Sequence, residues 1–61
     1  MPIPAEMLET AREAIQKMRI IAAVTRECEA SAENALVIDK CNDACIAIQS
    51  AIKAIKEAVG E

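Results

Sequence analysis

The chain has 61 residues and a formal net charge of −3, and 54% of its residues are hydrophobic although it contains no Phe, Tyr, Trp or His. A chain this short is one domain at most, so we expect residues 1–61 to form a single domain with an aliphatic core. The mildly acidic balance argues against general binding to DNA or to an anionic membrane. So much apolar surface in a small chain indicates self-association.

The N-terminal segment MPIPAEMLET has neither a basic region nor a long apolar run, so it is not expected to act as a signal peptide. No stretch approaches the roughly 18 apolar residues of a membrane span. The cysteine count is odd and no secretory signal accompanies it, which favours a reducing, cytoplasmic location.

Helix boundary signals lie only near the two ends of the chain. Pro2 and Pro4 stand at the start, Gly60 stands at the end, and residues 5–59 contain neither Gly nor Pro. Pro in a first turn and Gly after a last turn are the usual limits of helical structure. The composition between these limits suits helices throughout.

The first half of the chain predicts an amphipathic helix over about residues 4–30. Its apolar residues recur in alternating steps of four and three, which is the spacing of one helix face. The predicted seam comprises Met7, Ala11, Ala14, Met18, Ile21, Thr25 and Cys28, and it is widened by Leu8, Ile15 and Ala22.

The second half predicts another helix over about residues 34–59 with the same kind of spacing. Its seam comprises Ile38, Cys41, Cys45, Ile48, Ile52, Ile55 and Val59. Ala44, Ala51 and Ala58 recur every seven residues beside this seam, and such small residues let helices approach closely.

The two seams do not share one register, and the break lies in residues 29–34, EASAEN, where either Ser31 or Asn34 could cap the second helix. We therefore predict an all-α antiparallel helical hairpin, with a single 55-residue helix as the alternative. Antiparallel layers would place Cys45 opposite Ile21 and Cys41 opposite Thr25.

A second apolar patch lies away from both seams. Ile20, Val24 and Ile46 form it, and the predicted layers bring Ile20 and Ile46 to the same height. Another subunit would cover such a patch. The prediction is a homo-oligomer, either a dimeric four-helix bundle or a higher assembly, with these three residues at its interface.

The cysteines have three interpretations: metal ligands, a redox pair, or small buried apolar residues. Cys41 and Cys45 lie four residues apart and share a helix face, so both could touch one soft metal ion. A structural zinc site needs four ligands, and this chain would need a second copy to supply them. Core packing is the prediction, and no metal site or cofactor is expected.

Arg12, Arg19 and Arg26 recur every seven residues along the first helix. Arg19 has no acidic residue three or four positions away in either direction. An arginine in that position often meets a carboxylate or a phosphate on another molecule. The three arginines are therefore predicted to bind an anionic ligand, and the alternative is that they are solvated or paired with acids of the neighbouring helix.

No catalytic constellation is present in the sequence, because it has no His, no Ser in a nucleophile context and no Gly-rich phosphate loop. The expectation is a binding protein without catalytic residues.

Residues 33–54 read ENALVIDKCNDACIAIQSAIKA. This stretch resembles the helical hairpin of small phage proteins that sequester cyclic nucleotide signals and so blunt CBASS and Thoeris immunity. The positions that match are Ala35, Leu36, Lys40, Ala44, Ala51 and Ile52, and Asp43 keeps an acid. The family has a threonine, a leucine, an acid and a tryptophan where this chain has Asp39, Cys41, Asn42 and Ala47.

The resemblance covers about a third of the chain. It implies a phage-encoded anti-defence protein of the host cytoplasm that binds a cyclic nucleotide between subunits, with Lys40 as a further ligand-binding residue. In length and plan the hairpin also resembles the dimeric RNA-binding regulator of plasmid copy number. That resemblance implies the alternative function, a regulatory protein-interaction module with no small-molecule ligand.

Overall fold

A computed structural model describes residues 3–60, which form two α-helices joined by a short turn and contain no strand. The first helix, α1, spans Glu6–Glu27, and the second, α2, spans Ala32–Val59. The described residues measure 46 × 16 × 14 Å, whereas a single helix of 55 residues would be about 80 Å long. The helices therefore lie side by side, so the predicted all-α hairpin is confirmed and the single-helix alternative is wrong. Within residues 3–60, neither helix is long and apolar enough to cross a membrane.

α1 begins after Pro4 without a side-chain cap. The carbonyl oxygen of Pro4 accepts a hydrogen bond from the backbone N–H of Met7 at 3.0 Å, which starts the first turn. Glu6 and Glu9 lie in that turn, where negative charge favours the positive end of the helix dipole. Pro2, the other predicted start signal, lies outside the described residues.

The turn is closed by two hydrogen bonds around Ser31 and Asn34. The Ser31 hydroxyl accepts from the backbone N–H of Asn34 at 3.1 Å, and the Asn34 side-chain amide donates to the carbonyl oxygen of Glu29 at 2.6 Å. Of the two predicted capping residues, Ser31 is the cap. The helices therefore meet earlier than the predicted bounds of 4–30 and 34–59, because α1 ends at Glu27 and α2 starts at Ala32.

α2 ends where the sequence predicts. Gly60 has a φ of 80°, in the left-handed region that favours glycine, and its N–H reaches back to the carbonyl oxygen of Glu57. Lys56 lies in the last turn, where a positive charge favours the negative end of the helix dipole.

The seam predicted for α2 is confirmed. All seven residues from Ile38 to Val59 in that seam are buried or half-buried, and Cys41 is the most buried of them. The neighbouring column of Ala44, Ala51 and Ala58 is half-buried at Ala44 and exposed at the other two.

The seam predicted for α1 is confirmed in part: Ala11, Ala14, Met18 and Thr25 are half-buried as expected, whereas Met7, Ile21 and Cys28 are exposed. Leu8, Ile15 and Ala22, which were expected at its margin, are the most buried residues of α1. Met7 and Ile21, which were expected at its centre, are exposed. α1 is therefore rotated so that the column one residue later points at α2. The buried and half-buried residues of α1 are Leu8, Ala11, Ala14, Ile15, Met18, Ala22 and Thr25, and all of these except Ala14 form the heptad seam that faces α2.

The predicted layers are displaced with it. The Cys45 thiol lies 4.0 Å from the carbonyl oxygen of Ile15, rather than beside Ile21. Matching the two buried seams as antiparallel heptads assigns Ala22 to the layer of Cys41 and Met18 to the layer of Cys45, and the observed contact brings the Cys45 thiol about one turn nearer the start of α1, to Ile15. The pairing slips from the predicted one because the turn comes earlier in the chain.

Replacing Ser31 with Ala should lower the free energy of unfolding by about 1 kcal/mol, because the substitution removes the hydroxyl that caps α2. The matched control is Ser50→Ala, an exposed position inside α2 where Ala is the better helix former. Urea unfolding followed by circular dichroism, at one protein concentration, measures both variants. Equal losses of stability in the two would contradict a capping role for Ser31.

Candidate interaction surfaces

The hairpin leaves most of its large apolar side chains in contact with solvent. Only Leu8, Ile15, Ala22 and Cys41 are buried among the described residues, with 4–8% of their surface exposed. Eight large hydrophobic side chains are instead 39–66% exposed. They are Ile3, Met7, Ile20, Ile21, Val24, Leu36, Val37 and Ile46. One hairpin is thus too small to cover its own apolar surface.

Five of these eight side chains lie on one face of the hairpin, which we call the apolar face. The buried seams contain one column of residues spaced by seven on each helix: Leu8, Ile15 and Ala22 on α1, and Ile38, Cys45, Ile52 and Val59 on α2. On both helices, the residue one before and the residue two after each member of this column point to the apolar face. From α1 and the segment before it, the apolar members of this face are Ile3, Met7, Ala14, Ile21 and Val24. From α2 they are Val37, Ala44, Ala47, Ala51, Ala54 and Ala58. The polar members of this face are Thr10, Lys17, Glu33 and Lys40.

An open groove of about 600 Å³ lies on the apolar face, at the end of the hairpin away from the turn. Both helices contribute to it, together with the segment before α1. Its lining residues are Ile3, Pro4, Met7, Thr10, Ala11, Ala14, Ile48, Ala51 and Ile55. Apart from Thr10 these are apolar residues, and three of them are alanines. The groove therefore suits an apolar occupant.

The three residues predicted at the oligomer interface are all exposed, but they do not share a face. Val24 lies on the apolar face, and Ile20 points to the outer side of α1. Ile46, which is 66% exposed, belongs to the opposite face of the hairpin. The corrected register also places Ile20 and Ile46 at different heights. Their role as interface residues stays a prediction, and the structure does not join them into one patch.

The opposite face carries the predicted arginines, and we call it the basic face. Arg12, Arg19 and Arg26 each follow a buried residue of α1 by four positions, so they lie on one line and all three are exposed. Their spacing of seven residues corresponds to about 10 Å along the helix. α2 adds Lys53 and Lys56 to the same face, where the acids are Glu9 and Asp39. Five of the seven cations of a negatively charged protein thus share one face.

Lys40, the fourth predicted ligand residue, is separated from the arginines. It is exposed on the apolar face, on the other side of the hairpin from the line of arginines. The neighbours of that line on α2 are instead Asn42, Gln49 and Lys56, which were not predicted as site residues. Their seven-residue recurrence was visible in the sequence, but which residues of α2 lie beside the arginines depends on how the two helices face each other.

The three cysteines are unpaired and lie in different environments. Cys41 is buried in the seam, Cys45 is half-buried against Ile15, and Cys28 is exposed at the end of α1. The Cys28 thiol donates to the carbonyl oxygen of Val24 at 3.2 Å. Among residues 3–60, no group of three or more Cys, Asp or Glu side chains is placed to hold a metal ion. The environments of Cys41 and Cys45 fit packing residues.

No protein-family model, curated protein or solved structure matches this chain. The resemblance of residues 33–54 to the phage proteins therefore stays a prediction that rests on those residues alone. The two faces of the hairpin supply the remaining argument about function.

Replacing Cys41 and Cys45 together with Ala should preserve the helical fold and lower the free energy of unfolding by roughly 1–3 kcal/mol, because burial is lost and small cavities form. The control is Cys28→Ala at the exposed end of α1, where we expect a change within about 0.5 kcal/mol. Metal analysis of protein purified under reducing conditions accompanies the unfolding curves. Stoichiometric zinc or copper that disappears in the double variant would overturn the packing role.

Proposed function

We propose that this protein is a non-catalytic interaction module that works as a homo-oligomer joined through its apolar face. The observation that carries the proposal is the imbalance between four buried side chains and eight large apolar side chains left 39–66% exposed. Of the functions that the sequence suggests, this is the regulatory module without a small-molecule ligand. Its basic face stays free for a partner while the apolar face is covered.

The total surface area supports assembly. The hairpin exposes 4614 Å², whereas a compact protein of 6.5 kDa exposes about 3,800 Å². Two separate hairpins expose about 9,200 Å², twice the single value, and a compact protein of the same total mass exposes about 6,300 Å². A compact dimer would thus bury about 2,900 Å² in total, of which about 1,300 Å² follows from mass alone and about 1,600 Å² from the extended shape of the two hairpins.

Two neighbouring isoleucines test which surface joins the subunits. Ile21→Glu should dissociate the oligomer, because Ile21 lies on the apolar face and an unpaired buried charge costs several kcal/mol. Ile20→Glu is the matched control, one residue away on the outer side of α1, and should leave the oligomer intact. Light scattering after size exclusion at micromolar concentration measures the mass, and we expect a multiple of 6.5 kDa for the unmodified chain.

A monomeric unmodified chain at that concentration would overturn the proposal. If Ile20→Glu dissociates the oligomer and Ile21→Glu leaves it intact, the interface is instead the patch of Ile20, Val24 and Ile46 that the sequence predicts. Circular dichroism of both variants separates loss of assembly from loss of helix.

The basic face supports a second candidate function, sequestration of an anionic cyclic nucleotide. Its three aligned arginines can grip phosphates through paired hydrogen bonds, and Lys53 and Lys56 add positive charge on the same face. Without aromatic residues, a base would have to rest on aliphatic side chains or on the plane of a guanidinium group. A phage anti-defence role follows only if such a ligand binds.

Calorimetry against a panel of cyclic di- and trinucleotides tests this candidate. Arg19→Ala should weaken binding about 10-fold or more, since a hydrogen bond to a charged group contributes roughly 1.5–3 kcal/mol. Lys40→Ala is the control, because Lys40 lies on the opposite face and its loss should leave the affinity unchanged. The absence of binding at large nucleotide excess, or equal affinity of the Arg19 variant and the unmodified chain, would contradict the function or the site respectively.

A further inference from the structure

We infer that two copies of the chain pack apolar face to apolar face with their turns at opposite ends, so that each copy fills the groove of the other. The filling side chains are Ile21, Val24 and Val37, which project near the turn. The inference rests on the proposed function, since it names the partner of the apolar face as a second copy and fixes how that copy is oriented.

The two halves of the apolar face have complementary shapes. The half away from the turn contains the groove, which is lined by the small residues Ala11, Ala14 and Ala51 and bordered by Ile3 and Met7, 42% and 40% exposed. The half near the turn carries Ile21, Val24 and Val37, which are 39–56% exposed. One end of the apolar face thus projects and the other contains the groove. These two ends meet when a two-fold axis perpendicular to the helices places the turns of the two copies at opposite ends.

The position of the symmetry axis supports the same arrangement. The groove is centred at the height of residues 9–10 of α1, and Ile21, Val24 and Val37 are centred at about residue 24 in the heptad register. A two-fold axis that exchanges these heights passes between residues 16 and 17. That point is also the middle of Glu6–Glu27, so the two hairpins overlap along the whole length of α1.

The other two-fold arrangement places both turns at the same end and is less favourable. It sets groove against groove, so the groove of about 600 Å³ in each copy meets only Ile3 and Met7 of the other, which already line a groove of their own. It also sets the projecting residues against one another, which separates the faces. Interiors pack densely, and a gap of even 0.5–1 Å forfeits about a quarter to a half of a van der Waals contact.

The residues around the inferred axis allow close approach. Ala14, Ala44 and Ala47 lie at this height on the apolar face, and small residues bring helices together. Lys17 is the charged residue nearest the axis, and Glu13 precedes it by four positions on the outer side of α1. That spacing suits an ion pair on one helix, which would direct the Lys17 ammonium away from its copy in the partner.

The distance between the two copies of Cys28 tests the arrangement. With opposite turns, the two Cys28 residues lie 11 to 12 residues on either side of the axis, which corresponds to about 35 Å. With turns at the same end, they lie on the order of 10 Å apart. Cys28 is exposed, so a spin label attached there in the Cys41→Ala, Cys45→Ala chain reports the distance by double electron–electron resonance.

The outcomes separate this inference from the proposed function. A distance near 35 Å supports opposite turns. A distance near 10 Å overturns the arrangement while the dimer stands, and the absence of any intermolecular distance in a monomeric sample overturns the proposed function itself. The same distance is also measured in the unmodified chain labelled at one thiol per molecule. Agreement between the two distances shows that the cysteine substitutions have not changed the assembly.

A pair of charges gives a second measurement. With opposite turns, the axis brings Thr10 in the groove to the height of residue 23 of the second copy, where the nearest residue on the apolar face is Val24. Thr10→Lys and Val24→Glu should each raise the dissociation constant at least about 10-fold, and the double variant should recover about 10-fold through two new ion pairs. Strictly additive losses in the double variant would overturn the arrangement, because residues far apart do not couple.

Discussion

The structure depends on one constraint, the width of the apolar stripe on each helix. The stripe of α1 contains three adjacent columns, which begin at Met7, Leu8 and Ala11. Two helices packed side by side bury only about two columns each. The third column must face solvent or another molecule, and on both helices it points to the same side. The apolar face, the groove and the separation of the cations onto the other side all follow from this excess width.

The rotation of α1 shows what periodicity can and cannot establish. The columns that begin at Met7 and at Leu8 are both apolar throughout, so the sequence pattern fits either as the buried centre. The structure buries Leu8, Ile15 and Ala22 because their column lies directly opposite the aliphatic seam of α2. The seam of α2 was predictable in full. The neighbouring column of α2 holds mainly alanines, which gain less free energy from burial than the isoleucines of the seam because their apolar area is smaller.

The turn and the candidate sites depended on details that spacing alone does not supply. Ser31 and Asn34 are both good capping residues, and only the geometry in which Asn34 bonds both Ser31 and Glu29 decides between them. That choice moves the register by several residues. The line of arginines was predictable because it lies on one helix, whereas the separation of Lys40 from it depends on how the two helices face each other.

The closed turn has a kinetic consequence. Ser31 and Asn34 fix the turn and the start of α2 through bonds that span at most five residues, so this part of the hairpin can form early from local contacts. Helix and loop formation of this kind takes microseconds or less, whereas the meeting of two chains depends on their concentration. If two copies assemble as proposed, the rate of synthesis would then set how long the apolar face stays uncovered. A cell that makes little of the protein would hold single hairpins for longer than one that makes it in a burst.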